Sequence, residues 1–260
     1  MDKYFEIVKR FLNVVAHSDI SIKPINMGLI NDTFKVCYGR EIYVLQKLNQ
    51  EVFKTPQAIQ DNYNLVKRHL AKAHYPKETL NFLKADTAKD LLNINGEFWR
   101  MSQWIQGDSF QSCPNTIIAK AAGKALAEFH WYLKDVDPNT ITNPIPKFCD
   151  FEFRMAEYEK AIKYGDTERV KRAEGLISEI NSSQHFIDKY LEAESKLPKR
   201  IIHGDPKISN FLFVQGGQKV EAIIDIDTIM SGTILYDFGD MVRSFANTKV
   251  EDSLDKTDSF

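Results

Sequence analysis

The spacing of apolar residues changes character along the chain. Near the N-terminus Phe5, Val8, Phe11, Leu12 and Val15 recur at helical intervals, which predicts an amphipathic helix. Three stretches rich in strand formers come next: Ile20 to Ile25, Thr33 to Tyr38 and Glu41 to Leu48. The short Tyr38-Gly39-Arg40-Glu41 link predicts a hairpin between the last two. Pro56 suits the first turn of a helix, with Thr55 as its expected cap and Ile59, Tyr63, Val66 and Leu70 as its inner face. Asn95-Gly96 predicts another tight turn, leading into a strand from Glu97 to Ile105. Gln106-Gly107-Asp108-Ser109 breaks that strand. A lobe boundary is expected there, dividing the chain into 1–105 and 106–260.

The second half reads as mostly helical. Ile118, Ala122, Ala125, Leu126, Phe129 and Leu133 mark an amphipathic helix within 117–133. After a loop from Asp137 to Pro146, helices are expected at about 151–164 and 167–195. Beyond Pro198 the pattern becomes short strands, Arg200 to Ile202, Phe211 to Val214 and Val220 to Ile224, the last two joined by a Gly216-Gly217 turn. A final helix is expected from Leu235 to Ala246. Strands first and helices second predict a segregated α+β fold in two lobes, an antiparallel sheet in the first and mainly helices in the second.

Composition narrows the classes. The 260 residues hold 34 basic and 36 acidic side chains, a balance that argues against a dedicated nucleic-acid binder but allows a local phosphate pocket. No apolar run approaches the roughly 18 residues of a membrane span, so no membrane partner is expected. The N-terminus lacks the continuous apolar stretch of a signal peptide. Cys37, Cys113 and Cys149 are scattered and form no C-x-x-C pair. Reduced thiols in a cytoplasmic protein are the simplest reading.

The chemistry concentrates in one stretch, Ile201-Ile-His203-Gly-Asp205-Pro-Lys207-Ile-Ser-Asn210. A short apolar strand delivers a polar loop, and a second strand removes it. Fifteen residues after Asn210, another strand ends in Asp225-Ile-Asp227. Two such loops at adjacent strand ends can converge an acid, a base, an amide and a second acid. That set suits phosphoryl transfer. One carboxylate accepts the proton of an attacking hydroxyl, and an amide and another carboxylate hold magnesium on nucleotide phosphates.

His203-Gly-Asp205-Pro-Lys207-x-x-Asn210 has the spacing of the protein-kinase catalytic loop. With Gly204 after the histidine, it more closely resembles the aminoglycoside phosphotransferase and choline kinase group of small-molecule kinases. Within that group the chain is most similar to N-acetylhexosamine kinases, through Gly28-Leu-Ile-Asn31-Asp-Thr33, Tyr43-Val-Leu-Gln46, Phe98-Trp99-Arg100, Ile224-Asp-Ile-Asp-Thr-Ile-Met230 and Tyr236-Asp-Phe-Gly-Asp240. The resemblance implies a two-lobed protein-kinase-like fold and an ATP- and Mg2+-dependent kinase. The implied acceptor is the anomeric hydroxyl of an amino sugar. It also implies roles: Asp205 as base, Lys207 neutralising the transferred group, Asn210 and Asp225 as magnesium ligands. Gly28, Asn31 and Thr33 would lie in the loop over the phosphates. Gln103 and Ile105 would lie in the hinge that meets adenine.

Two features depart from that pattern. The third-strand lysine of such kinases falls near Gln46, with Lys47 alternating to the other face; a one-residue slip would exchange them, and Gln46 is favoured. Its helix glutamate partner is also missing, since Asn62 lies about there. The chain moreover stops soon after Asp240, where related sugar kinases carry further helices that help build the acceptor pocket. The rival readings are a kinase for an aminoglycoside, a choline-like amine or homoserine, and a catalytically inactive nucleotide-binding module. A metal-dependent hydrolase is disfavoured because the histidines are not grouped. His203 is expected to orient the loop, and Asp227, Asp237 and Asp240 to brace it. Trp99, Trp104 and Trp131 are expected to pack. Arg154 and Arg243 fit either a ligand contact or a structural ion pair.

Overall fold

In the computed structural model, residues 2–12, 14, 20–25, 30–247 and 249 are described. Helix α1 (Asp2–Lys9) lies against a five-stranded antiparallel sheet. The sheet comprises β1 (Ile20–Pro24), β2 (Asp32–Tyr38), β3 (Glu41–Lys47), β4 (Leu92–Ile94) and β5 (Glu97–Gln103), in the order β1-β2-β3-β5-β4. Its first core forms where Ile7, Val8 and Phe11 meet Val36, Leu45, Trp99 and Met101. Val15 lies outside the described residues.

Register decides what the other face presents. Leu45 pairs with Met101 and Lys47 with Trp99, so these four share the core face. Gln46 pairs with Arg100 and Val44 with Ser102 on the opposite face. That leaves polar groups on the side that turns toward the rest of the chain.

Helix α2 (Pro56–Lys72) starts on proline, but Thr55 makes no side-chain cap hydrogen bond. The expected cap is corrected: the first turn closes through the backbone, Ala58 N–H to the Thr55 carbonyl at 3.0 Å. Ile59, Tyr63, Val66 and Leu70 are buried. Tyr63, Val66 and Leu70 belong to the second core, with Ile118, Ala122 and Phe129 of α3 (Thr116–Tyr132). Helix α2 thus precedes residue 105 in sequence yet packs with elements C-terminal to it. Asn115 caps α3 by accepting from the N–H groups of Ile117 and Ile118. Trp131 of α3 is 64% exposed, which corrects its expected packing role; Lys134 Nζ sits 3.5 Å over its ring.

Helix α4 (Phe151–Tyr164) comes next, capped by Asp150. The expected single helix at 167–195 is three: α5 (Thr167–Arg172), α6 (Glu174–Ser182) and α7 (Gln184–Lys196). The chain bends at Ala173 and Ser183. Strand β6 (Arg200–Ile202) pairs with β9 (Met230–Gly232), a strand the sequence pattern did not reveal. Strand β7 (Phe211–Phe213) pairs with β8 (Val220–Ile223), and α8 (Ile234–Ala246) closes the described chain. These two small ribbons, backed by the second core, carry the loops of interest. The whole is an α+β, kinase-like arrangement.

Candidate active site

The loop after β6 is organised by a buried histidine. His203 Nδ1 accepts from the Asp205 N–H at 3.3 Å, so Nε2 carries the proton given to the Ile224 carbonyl at 3.1 Å. The ring therefore ties this loop to the end of β8 and is not aimed at a substrate. Gly204 has φ +84°, and a Cβ there would stand 2.5 Å from the Thr228 carbonyl oxygen. Only glycine fits that turn. Asp237, in the first turn of α8 and fully buried, accepts from the N–H groups of His203 and Gly204, each at 2.8 Å. His130 Nε2 of α3 lies 2.7 Å from the same carboxylate. A carboxylate from one helix and an imidazole from another hold the loop's backbone.

Asp205 stands at the turn's tip. Asn210 Nδ2 donates to the Asp205 carbonyl at 2.7 Å and to its Oδ2 at 3.2 Å. Lys207 Nζ lies 3.3 Å from that Oδ2. With Nδ2 committed, Asn210 keeps Oδ1 as its open acceptor. The Ile224 N–H bonds the Asn210 carbonyl at 2.9 Å, which brings the next residue, Asp225, to the same place.

Asp225 is held at φ 57°, ψ 55°, a left-handed conformation that only glycine and, less often, asparagine and aspartate adopt routinely. Its carboxylate has no hydrogen bond or ion pair among the described residues. Burial pushes its pKa up to about 6, and the negative charges of Asp227 and Asp205 push the same way against Lys207 and His203. A half-buried, unpartnered carboxylate beside other acids is the environment a hard divalent cation relieves. The donor set fits magnesium, a hard cation that takes oxygen ligands: the Asp225 carboxylate and the Asn210 amide oxygen would hold it. Among the described residues no cluster of three or more His, Cys, Asp or Glu offers a protein-only cage.

Across the cleft, the polar face of the sheet meets Asp227. Arg100 of β5 and Asp227 form an ion pair at 2.6 Å with side chains only 1% and 2% exposed. Arg100 Nε and Nη2 also donate to Gln46 Oε1 at 3.0 and 2.9 Å. Asn31 Nδ2 donates to the other Asp227 oxygen at 2.7 Å, while Asn31 Oδ1 receives the Asn49 N–H at 3.0 Å. Gln46 Nε2 reaches Thr33 Oγ1 at 3.4 Å. Lys47 instead lies on the core-side face, 3.2 Å from Glu97 and 3.7 Å from Asp32. Gly28 falls outside the described residues. Asn62 accepts the Thr142 N–H at 3.0 Å and donates to the Thr142 carbonyl at 2.7 Å, joining α2 to the loop before α4.

The hinge segment runs off β5. The Gln103 N–H bonds the Asn81 carbonyl at 3.0 Å and the Trp104 N–H bonds the Ile42 carbonyl at 3.0 Å. The N–H of buried Ile105 has no backbone partner among the described residues.

A cavity of about 590 Å³ opens between α4, α7, β9 and the start of α8, lined in part by Phe148, Cys149, Phe151, Thr233 and Tyr236. Its acids are answered by lysines: Glu194 by Lys199 at 3.1 Å and Asp150 by Lys147 at 3.9 Å, while Glu152 sits on the exposed rim. Burial pushes the Cys149 thiol up to about 12, so the thiol is a packing group rather than a nucleophile. Tyr236 links the cavity to the loop, its phenol raised by burial first and in part by Asp205. Arg154 and Arg243 pair with Glu157 and Asp240, one helical turn away in each case.

The structure thus brings Asp205, Lys207, Asn210 and Asp225 together, and sets Asn31, Thr33 and Gln46 around Arg100 and Asp227. Arg100, His130 and Asn62 gained no role from spacing alone. Alternation along β5 carried one signal, since it places Arg100 on the face of Gln46 and opposite Trp99.

A sequence profile of the phosphotransferase enzyme family matches residues 21–257. Among solved structures, a microcompartment-associated aminopropanol kinase superposes with a TM-score of 0.69 at 16% identity, covering 95% of this chain and 76% of that one. A spectinomycin phosphotransferase solved with ADP and spectinomycin gives 0.63 at 15%, covering 93% and 73%. An aminoglycoside 2'-phosphotransferase solved with GDP gives 0.64 at 15%, covering 93% and 77%. At these identities the likeness is one of fold.

Proposed function

The chain is a small-molecule kinase of the phosphotransferase enzyme family, and from that premise we propose that it moves the terminal phosphoryl group of ATP onto the anomeric hydroxyl of an N-acetylhexosamine. The observation that carries the kinase reading is Asp225. Its backbone is left-handed and its half-buried carboxylate is unpartnered, beside the open Oδ1 of Asn210 and the loop of Asp205. Asp225 and Asn210 would hold a magnesium ion, which would supply positive charge for nucleotide phosphates.

Each residue of the loop then has one task. Asp205 has Oδ2 engaged by Asn210 and Lys207, which leaves Oδ1 to accept the acceptor's hydroxyl proton. Lys207 sets a positive charge beside that carboxylate, where charge builds on the transferred group. The Ile105 N–H and the Gln103 carbonyl would meet the adenine edge. Asn31, Thr33 and Gln46 would face the phosphates. The protein's contribution is position and charge, with no covalent intermediate.

The acceptor reading draws on the cavity beside Tyr236. A volume of about 590 Å³ admits a monosaccharide with an acetamide. Aromatic faces suit a sugar ring, and two of the cavity's three acids, Asp150 and Glu194, already have lysine partners. Placed polar groups discriminate sharply against an analogue that lacks the matching group.

Product analysis by phosphorus NMR tests this. N-acetylglucosamine or N-acetylgalactosamine should give an anomeric phosphate faster than glucose or galactose. Asp205→Asn should keep nucleotide binding while losing about 10²–10⁴-fold in turnover. Phosphorylated kanamycin, choline or homoserine with no sugar phosphate would remove the sugar reading alone. Near wild-type turnover by Asp205→Asn would remove the assignment of the base.

A further inference from the structure

Arg100 is the feature that the kinase reading leaves unused. It is a fully buried cation in the middle of a sheet, and nothing about strand formation needs it. Its aliphatic and guanidinium surface lies against Phe82, with Cζ 4.8 Å from the ring centroid. Two of its nitrogens converge on one oxygen, Gln46 Oε1. Nη2 reaches further, to Asp227. Nη1 is buried and has no partner among the described residues. A purely structural arginine at this depth would have its donors satisfied.

The convergence on Oε1 has a directional consequence. An amide whose oxygen is fixed must present its NH2 group on the other side. Gln46 Nε2 is therefore aimed at Thr33 and the end of the β1–β2 connection, where phosphates would lie. Without Arg100 the amide could rotate and offer its oxygen to those phosphates, which would repel. The same guanidinium holds Asp227, two residues from Asp225, from across the cleft. Asn31, at the end of that same connection, grips the second Asp227 oxygen.

We propose that Arg100 is a positioning residue for the nucleotide: it locks Gln46 as a hydrogen-bond donor to the phosphates and fastens the Asp227 loop to the sheet, so that an amide held by a buried arginine takes the place of a strand β3 lysine. The inference rests on the kinase reading of this site. It adds that the donor acts only in the orientation Arg100 imposes. It also predicts that restoring a lysine does harm. Gln46→Lys would set a second buried cation against Arg100, whose own charge already engages Asp227.

The test is a double-mutant cycle read as ADP affinity by calorimetry with and without magnesium, as KM for ATP against kcat, and as melting temperature. Arg100→Met should weaken ADP about tenfold and raise KM for ATP by a similar factor. The pair Arg100→Met, Gln46→Ala should bind no worse than the weaker single variant, because one residue acts through the other. Arg100→Lys should recover only part of the loss, since it cannot hold Oε1 with two donors. Gln46→Glu keeps the acceptor that Arg100 needs, so its melting temperature should hold while ADP affinity falls at least tenfold. Gln46→Lys should lower the melting temperature without tightening ADP. Additive losses in the cycle would overturn the proposal, as would wild-type ADP binding by Gln46→Glu. So would tighter ADP binding by Gln46→Lys. A wild-type protein that binds no nucleotide would bring down the kinase reading itself, an outcome distinct from these.

Discussion

Asp225 shows how a single residue records a function as a local cost. Its left-handed backbone and its half-buried, unanswered charge both work against folding. The sign of the pH effect comes from the raised pKa. The unfolded carboxyl titrates at about 3.9, the folded one at about 6. Below about pH 4 both states hold the proton. Between those values the folded state holds a proton that the unfolded state has lost, so stability falls as pH rises through this window. Above it the ionised carboxylate remains a standing cost. Asp225→Asn removes the charge, and asparagine tolerates the left-handed region. Thermal melts should therefore find the variant more stable than wild type at pH 7–8 and little different at pH 4. Its magnesium-dependent ADP binding should be lost, while metal-free ADP binding holds. A variant less stable at neutral pH would show that the ionised carboxylate stabilises the fold, against the unpartnered reading. The spacing of Asp205, Lys207, Asn210 and Asp225 was legible in sequence because all four sit on two short loops. Arg100 was not, because its partners, Gln46 and Asp227, stand 54 and 127 positions away.

At the scale of elements, α8 holds the candidate catalytic loop at two places, through Asp237 on His203 and Gly204, and through Ser244 Oγ on the Ile208 N–H at 3.0 Å. Asp237 takes two loop N–H groups and faces His130, so the first turn of this helix fixes the loop that carries Asp205. Asp237→Ala would leave two buried backbone donors and an imidazole without their acceptor. Each unsatisfied buried group costs about 1–3 kcal/mol. We expect a loss of several kcal/mol in denaturant unfolding, together with a fall in kcat. Asp237→Asn, which keeps a carbonyl acceptor, should lose less of both. Equal losses from the two variants would mean that the charge, not the pair of backbone bonds, holds the loop. Elements with a clear period were legible: α2, α3, and strands β2, β3 and β5. Strand β9 was not, since Met230-Ser231-Gly232 has neither length nor β-branched residues. The breaks between α5, α6 and α7 fall at Ala173 and Ser183, neither a helix breaker. The three helices are set by packing and local backbone, which period alone does not encode.

At the scale of the whole molecule, the two halves are fastened at several independent points. Arg100 and Asn31 hold Asp227. Asn62 holds the backbone of Thr142. The Glu78 N–H bonds the Glu221 carbonyl at 2.9 Å. Tyr63, Val66 and Leu70 of α2 sit in the core of the second half. Helix α2 precedes residue 105 in sequence and packs with elements that follow it. Such a molecule should unfold in one cooperative transition despite its two-part plan. Nucleotide bound in the cleft should raise that transition as a unit. At a free ligand concentration about 100 times Kd the gain is about 2.7 kcal/mol, or roughly 5–10 °C for a chain of this size. Scanning calorimetry with ADP, with and without magnesium, measures it. Wild type should show one peak that ADP shifts upward and magnesium shifts further. In Asp225→Asn the magnesium increment should vanish while the ADP increment stays. Two peaks, of which ADP moves only one, would mean that the buried Arg100–Asp227 pair does not couple the sheet to the metal loop.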